Sequence, residues 1–137
     1  MSISYGIDEL RFMSLLEQCS GVTPKDVIVE SERITFLVPK GSLGQAIGRH
    51  GIVAKKLEQL LKRKVKIAEY STDLQAFIHN LVFPIELSSL AEENGVVTLT
   101  AANHQSRGML IGRAAAHLRS FEAIVKRHFS VKELKVE

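Results

Sequence analysis

The feature of this sequence that most constrains its fold is an internal repeat. A shift of 64 positions lays residues 42–65 onto 106–129 without a gap, and eight of the 24 positions are identical. The identical pairs are Ser42 and Ser106, Gly44 and Gly108, Ile47 and Ile111, Gly48 and Gly112, Arg49 and Arg113, Glu58 and Glu122, Lys62 and Lys126, and Arg63 and Arg127. A period of this size indicates one supersecondary unit that occurs twice. We therefore predict two small modules, residues 1–70 and 71–137, with almost no linker.

Hydrophobic periodicity predicts the element order of the first module. The predicted elements are a helix near 5–19, strands at 27–29 and 34–38, a short helix over about 42–48, a longer helix from Ile52 and a strand at 64–67. In the first helix, we expect the core-facing residues to be Ile7, Leu10, Met13 and Leu16 or Cys19. In the longer helix, we expect the apolar face to consist of Ala54, Leu57, Leu60 and Leu61.

The second module repeats this order. Ser71-Thr72-Asp73 forms a helix N-cap cluster, and Asn94-Gly95 is a typical hairpin turn. The predicted elements are a helix to about Val82, strands around 87–90 and 97–99, a short helix, a long helix over about 114–128 and a strand at 131–136. The fold class is therefore α+β, with the order α-β-β-α-α-β in each module and the helices packed on a three-stranded sheet.

Positive charge is concentrated around the first copy of the repeat. Residues 40–66 contain eight lysines and arginines against Glu58 alone, whereas the whole chain carries a net charge of only +3. A local excess of this size favours an anionic partner such as nucleic acid. A solvated helix face is the structural alternative for such a run. We single out Lys55 and Lys56 as candidate contacts because they lie nearest to a glycine-containing loop.

That loop, within Ile47-Gly48-Arg49-His50-Gly51, lies between two predicted helices. Its glycines can adopt positive φ and let a sugar-phosphate strand approach without contact to a Cβ atom. Backbone N–H groups at the start of the following helix, together with Arg49, supply donors and positive charge for a phosphate. The alternative is that the glycines only permit a tight turn between helices.

The order helix, two strands, helix, Gly-X-X-Gly loop, helix, strand resembles the type II KH domain. Two such modules in tandem, with Ile-Gly-Arg-His-Gly in one and a terminal Lys126-Arg127-His128-Phe129 in the other, resemble the short archaeal form of the NusA family of transcription factors. This resemblance implies non-catalytic binding of single-stranded RNA and a role in transcription elongation or termination. The implied partners are the nascent transcript and RNA polymerase.

The resemblance also implies roles for individual residues. Gly48, Arg49, His50 and Gly51 would hold backbone phosphates, and Ile47 would help to form the floor of an aliphatic groove in which the bases lie. The absence of tryptophan and the presence of only two tyrosines agree with that mode better than with an aromatic stacking platform.

The second copy departs from the loop pattern, because it reads Gly112-Arg113-Ala114-Ala115. If the last position requires a left-handed conformation, alanine costs on the order of 1 kcal/mol there or adopts another geometry. We expect Gly112 and Arg113 to make auxiliary contacts with the RNA backbone. The first module should therefore grip RNA, and the second should mainly extend or orient the surface.

Other classes of function lack support in the sequence. No apolar run approaches the roughly 20 residues that span a bilayer, and residues 1–5 lack the basic start of a secretory signal. Cys19 is the only cysteine, and no two histidines have the i, i+4 spacing of a helical zinc pair. No P-loop, dinucleotide loop or nucleophile elbow occurs. We therefore expect a cytoplasmic monomer without catalytic residues, cofactor or metal.

Two other functions are also compatible with the sequence. A ribosome-associated or RNA-processing KH protein would share the same fold, because function depends on sites and partners rather than on the fold itself. A protein-interaction module, in which the degenerate second copy binds a partner, belongs to a different class. The intact first loop is the feature that favours RNA.

Overall fold

A computed structural model describes residues 5–137. Residues 1–4, which belong to the first predicted module and to the argument about a secretory signal, lie outside the described residues. The described chain divides into two compact units, of which unit 1 ends at Ser71 and unit 2 spans Thr72–Glu137. The chain is a mixed α+β protein with one three-stranded sheet in each unit.

The described part of unit 1 contains three α-helices and one mixed sheet. Its elements are α1 (Ile7–Ser20), β1 (Asp26–Val29), β2 (Arg33–Val38), α2 (Leu43–Ile47), a 3₁₀ turn (Arg49–Gly51), α3 (Ile52–Leu61) and β3 (Lys64–Glu69). The strand order is β1-β2-β3. Strand β1 is antiparallel to β2, whereas β3 is parallel to β2. The parallel pair requires a crossover connection, and α2, the 3₁₀ turn and α3 provide it.

The core of unit 1 forms where one face of the sheet meets the helices. Alternate residues of β2 belong to this core, together with residues of α1 and α3. Its buried members include Phe12, Leu16, Ile34, Phe36, Val38, Val53 and Leu57. Cys19 is half-buried and packs against the same cluster.

The predicted apolar faces of two helices are partly wrong. In α1, Ile7 is 85% exposed and Leu10 is 55% exposed. Leu16 is buried as expected, and Met13 is half-buried against the core. The second buried residue is Phe12, which lies four residues before Leu16 and therefore shares its helix face. In α3, Leu57 is buried as expected, but the residue that accompanies it is one turn earlier, at Val53. Leu60, which was expected in the core, is 54% exposed.

Unit 2 has the same order of elements. These are α4 (Leu74–Val82), β4 (Leu87–Glu93), β5 (Val96–Ala101), α5 (His104–Ile111), a 3₁₀ turn (Arg113–Ala115), α6 (Ala116–His128) and β6 (Glu133–Val136). Strand β5 lies between β4, to which it is antiparallel, and β6, to which it is parallel. The predicted hairpin is confirmed, since Asn94 and Gly95 link β4 to β5 with φ of 55° and 83°. The predicted cap of α4 is also confirmed, because Asp73 Oδ2 accepts a hydrogen bond from Ala76 N at 2.9 Å.

One identical pair of the repeat has a clear structural role. The Glu58 carboxylate of α3 accepts a hydrogen bond from Val65 N at 3.0 Å, and the Glu122 carboxylate of α6 accepts one from Leu134 N at 2.9 Å. Each bond joins the helix that follows the loop to the last strand of its unit. The identity of Glu58 and Glu122 is therefore explained by the fold.

In the match of residues 42–65 with 106–129, the last four pairs of residues are not structurally equivalent. Helix α3 ends at Leu61, and Lys62 is its left-handed C-cap with φ of 54°. Lys126 instead lies inside α6, which continues to His128. The strands therefore correspond with an offset of 69 residues rather than 64, because Val65 pairs with Ile34 where Leu134 pairs with Val97. The matched pairs Lys62/Lys126 and Arg63/Arg127 do not occupy equivalent sites.

Lys66 on β3 should make the free energy of unfolding depend on pH in the alkaline range. Burial, and secondly the charge of Arg33, lower the pKa of Lys66 to about 8 from 10.5. Between these values the unfolded chain binds more protons than the folded one, so the free energy of unfolding should increase as pH rises. We expect the wild type to gain roughly 1–2 kcal/mol relative to Lys66→Met between pH 7 and 10, after allowance for solvent screening. Urea unfolding at several pH values measures this difference, and identical pH profiles would contradict it.

Candidate nucleic-acid interface

The loop of unit 1 is a tight connection between α2 and α3. Gly48 turns the chain with φ of 83° and ψ of 165°, and His50 and Gly51 follow in the left-handed region with φ of 56° and 74°. The N–H of Gly51 donates a hydrogen bond to the carbonyl of Gly48 at 3.0 Å. Helix α3 begins directly afterwards, so the N-terminal end of its dipole lies beside the loop.

The two glycines of this loop meet different requirements. A Cβ atom on Gly48 would lie 2.7 Å from Val53 Cγ2 and 3.0 Å from the backbone nitrogen of Val53. The same atom on Gly51 would meet only Lys55 Cε, at 3.9 Å. Gly48 is therefore required by the turn itself, which agrees with the alternative that the glycines permit a tight turn between helices. Gly51 is favoured only by its positive φ.

The charged side chains predicted to bind RNA are accessible. Arg49, His50, Lys55 and Lys56 are all exposed, and none of them forms an ion pair with a carboxylate among residues 5–137. Lys55 lies beside the loop, because its Cε would be 3.9 Å from a Cβ atom on Gly51. Lys56 is the next residue of α3, about 100° further around the helix axis. The structure thus brings Arg49, His50 and Lys55 together and places Lys56 on the adjoining surface.

An apolar residue of this surface was missed by the sequence reasoning. Ile47 is half-buried, as expected for the floor of a groove, but Ile52 beside the loop is 64% exposed. Its Cγ2 lies 3.0 Å from the position that a Cβ on Gly48 would occupy. The sequence did contain a signal for this residue, because Ile52 directly follows the glycine loop and is the first residue of the next helix.

The loop of unit 2 has the same backbone conformation. Gly112 has φ of 71° and ψ of 178°, and Ala114 and Ala115 have φ of 53° and 61°. Of the two alternatives for Ala115, the left-handed conformation is therefore the one adopted. Arg113 and Ala114 are exposed, as are their counterparts in unit 1. The second loop therefore has the backbone shape of the first, although Ala115 stands where unit 1 has Gly51.

The residues behind the second loop differ from those in unit 1. Ala116 and His117 stand where unit 1 has Ile52 and Val53. A Cβ atom on Gly112 would lie 2.6 Å from His117 Cγ. The ring nitrogen Nδ1 of His117 is 2.9 Å from the carbonyl oxygen of Met109. A polar ring therefore supports the second loop where aliphatic side chains support the first.

Restoring the missing glycine should stabilise unit 2. Ala115 has a positive φ that disfavours any side chain, so we expect Ala115→Gly to raise the free energy of unfolding by about 1 kcal/mol. The matched control is Ala116→Gly, because Ala116 has helical φ of −61°. The control should lose roughly 0.5–1 kcal/mol. Urea midpoints at constant slope measure both changes, and a loss of stability in Ala115→Gly would contradict the argument.

Among residues 5–137, no group of three histidine, cysteine, aspartate or glutamate side chains is arranged to hold a metal ion. Within the same residues, no helix has the length and apolar character needed to cross a membrane.

Comparison with known proteins identifies relatives over nearly the whole chain. No family model matches the sequence. A protein of Methanocaldococcus jannaschii, named a probable transcription termination protein NusA, is 31% identical over 132 residues, which cover 94% of this chain and 72% of that protein. Proteins of the same name from Methanococcus vannielii and Halococcus morrhuae are 30% and 23% identical. The alignments cover 99% of this chain in both cases, and 80% and 99% of the respective relatives.

A solved structure agrees with these sequence relatives. The crystal structure of APE1850 superposes with a TM-score of 0.78 at 29% identity, covering 97% of this chain and 100% of that one. Because a relative is more than 30% identical and matches over most of both chains, the chain belongs to the archaeal NusA family.

Proposed function

We propose that this protein is a non-catalytic, single-stranded RNA-binding factor that acts in transcription elongation or termination. The observation that carries the proposal is the loop Gly48-Arg49-His50-Gly51, which lies at the start of α3. The side chains of Arg49 and His50 are exposed there and have no carboxylate partner among residues 5–137. The names of the relatives, which are probable transcription termination proteins, support the transcriptional role.

The proposed binding unit is a tandem of two type II KH domains, residues 1–70 and 71–137. The order α-β-β-α-α-β in each unit, with the glycine loop between the second and third helices, supports this assignment. In this scheme the first domain carries the intact loop and binds RNA as the main site. The protein acts as a monomer and contacts RNA polymerase in addition to the nascent transcript.

RNA binding at the first domain follows from charge and shape. Phosphates contact the backbone of Gly48 and Gly51 and the side chains of Arg49 and His50, while the amino groups of Lys55 and Lys56 neutralise the next phosphates along α3. Bases lie against aliphatic side chains, for which Ile47 and the exposed Ile52 are available. No bond is made or broken, so the site needs no nucleophile or general base.

The second domain makes the auxiliary contact. Gly112 and Ala114 have the backbone geometry of Gly48 and His50. Arg113 between them is exposed without a carboxylate partner in the described chain. Ala114 replaces His50, so this loop offers one polar side chain fewer. Its contribution to affinity should be smaller than that of the first loop.

Three measurements test the proposal. The affinity for a labelled single-stranded RNA should fall steeply with salt, with a logarithmic slope of about −0.7 for each phosphate neutralised. In a reconstituted archaeal transcription system, adding the protein should change the fraction of transcripts that terminate, and the protein should co-purify with RNA polymerase. Salt-dependent RNA binding with no effect on termination or polymerase would favour the ribosomal or RNA-processing alternative. Absence of RNA binding would overturn the proposal.

A further inference from the structure

The two units treat one apolar position of the repeat differently. Leu60 of α3 is 54% exposed, whereas its counterpart in α6, Ile124, is only 1% exposed. The correspondence is secure at this point, because Glu58 and Glu122, half a turn earlier, make the same bond to the last strand. Leu60 is therefore an exposed apolar residue at a position of the repeat where unit 2 has a buried one.

Leu60 is part of one wall of a groove between α1 and α3. The groove has a volume of about 430 Å³ and is lined by Arg11, Ser14, Leu15, Gln18, Leu60 and Leu61. Along α1, the exposed Ile7 lies one turn before Arg11 on the same helix face. The exposed Leu10 directly precedes Arg11 in the helix. Ile7 and Leu10 lie outside the groove lining, in which Leu60 is exposed and Leu15 and Leu61 are half-buried. A groove with exposed aliphatic surface of this kind is typical of protein-binding sites.

Positive charge adjoins this aliphatic groove. The guanidinium carbons of Arg11 and Arg63 lie 5.7 Å and 6.0 Å from the centroid of the Phe12 ring. Arg63 also donates to the carbonyl of Glu30 at 3.3 Å, which fixes its position. Arg11 pairs with no carboxylate among residues 5–137, and no acidic residue lines the groove. The groove therefore complements a ligand that is both apolar and negatively charged.

We propose that the α1–α3 groove binds a short amphipathic segment of a partner protein, with apolar side chains at helical spacing and neighbouring aspartates or glutamates. The aliphatic side chains would pack on Leu15, Leu60 and Leu61, and a carboxylate would pair with Arg11. RNA fits this groove less well, because its lining residues include no aromatic side chain on which a base could stack.

The groove and the RNA loop can be occupied at the same time. The loop precedes the first residue of α3, whereas Leu60 and Leu61 are its last two residues. At 1.5 Å per residue, the two ends are separated by roughly 12–14 Å along the helix axis. The proposal is therefore independent of RNA binding, and each can fail without the other.

A displayed library of random peptides of about 14 residues, selected against the full chain, tests this inference. We expect enrichment of peptides with apolar residues at i, i+3 or i+4 and i+7 together with acidic residues. A synthetic copy of the enriched sequence should shift the amide resonances of Arg11, Leu60 and Leu61. Its affinity should fall at least about tenfold in Leu60→Glu and in Arg11→Glu. It should be retained in Gln59→Glu, which adds the same single negative charge as Leu60→Glu but lies outside the groove lining.

Several results would overturn the proposal. These are a library without enrichment, enriched peptides that lack the acidic and apolar pattern, and equal peptide affinity in Leu60→Glu and wild type. A dimer that dissociates in Leu60→Glu would assign the groove to a second copy of the chain. A loss of RNA affinity in Leu60→Glu that Gln59→Glu does not share would assign it to RNA. Because Leu60 is exposed, its replacement should leave the urea midpoint nearly unchanged.

Discussion

Replacement of Arg49 and His50 by aspartate should lower the affinity for single-stranded RNA about a hundredfold or more. The change removes one fixed positive charge and places two negative charges where phosphates are expected to bind. A charge pair near a protein surface is worth a few kcal/mol at about 4 Å, so reversal should cost roughly 3 kcal/mol or more of binding free energy. The fold should persist, because Asp tolerates the left-handed φ of 56° found at His50.

The matched control for this variant lies at the other end of α3. Lys62→Gln with Lys64→Asp changes the net charge by the same three units, taking His50 as neutral in the wild type, and both lysines are exposed. Fluorescence anisotropy over a range of salt concentrations compares the two variants. We expect the loop variant to lose both affinity and salt dependence, and the control to lose little of either. Equal losses would mean that general attraction to the basic unit, and not the loop, dominates binding.

Gly48→Ala should destabilise unit 1 by roughly 3 kcal/mol, the largest effect expected of any single methyl group in the loop. The added Cβ would lie 2.7 Å from Val53 Cγ2 and 3.0 Å from the backbone nitrogen of Val53, which cannot move without disturbing α3. In addition, φ of 83° with ψ of 165° is a conformation almost restricted to glycine. Steric overlap and backbone strain therefore act together.

Gly51→Ala is the matched control in the same loop. It meets only Lys55 Cε at 3.9 Å and has φ of 74°, so the expected loss is about 1 kcal/mol. Unit 2 carries this substitution naturally at Ala115, with φ of 61°. Urea unfolding of both variants measures the difference, and similar losses would show that the contact with Val53 is easily relieved.

Local signals in the sequence were sufficient to predict the elements. The order α-β-β-α-α-β follows from hydrophobic period and turn residues, and the Asn94-Gly95 hairpin and the Asp73 cap are local interactions that a single sequence can reveal. The repeat also predicted correctly that both halves have the same architecture. Interactions between neighbours along the chain determine these features, so they need no knowledge of tertiary packing.

Which residues lie in the core could be predicted less well. Leu10 and Leu60 fit an apolar helical period but are exposed, because burial depends on which helix face meets the sheet rather than on the period alone. The offset between units after Glu58 and Glu122 was also hidden, since α6 continues past the position where Lys62 ends α3. The identical residues at those positions gave a match that the structure does not support.

The sequence predicted the positions of both loops between helices correctly. It did not determine the conformation of the second loop, Gly112–Ala115. From the sequence, Ala115 allowed either a strained left-handed residue or a different turn. The structure keeps the left-handed turn, and the close packing of Gly112 on His117 accompanies it. That packing involves a residue five positions away whose importance no motif indicates.

The positive φ values of Ala114 and Ala115 also determine when the energetic cost of ordering the second loop arises. The left-handed turn that contains Ala114 and Ala115 is part of the folded backbone, so the strain of the two alanines is a cost of folding and lowers the stability of the protein. A ligand that reaches this loop then binds a surface whose backbone entropy has already been lost. Substitutions that relieve the strain at the two alanines should therefore raise the free energy of unfolding. They should also lower the affinity of the loop for a ligand, since more backbone entropy would be lost on binding.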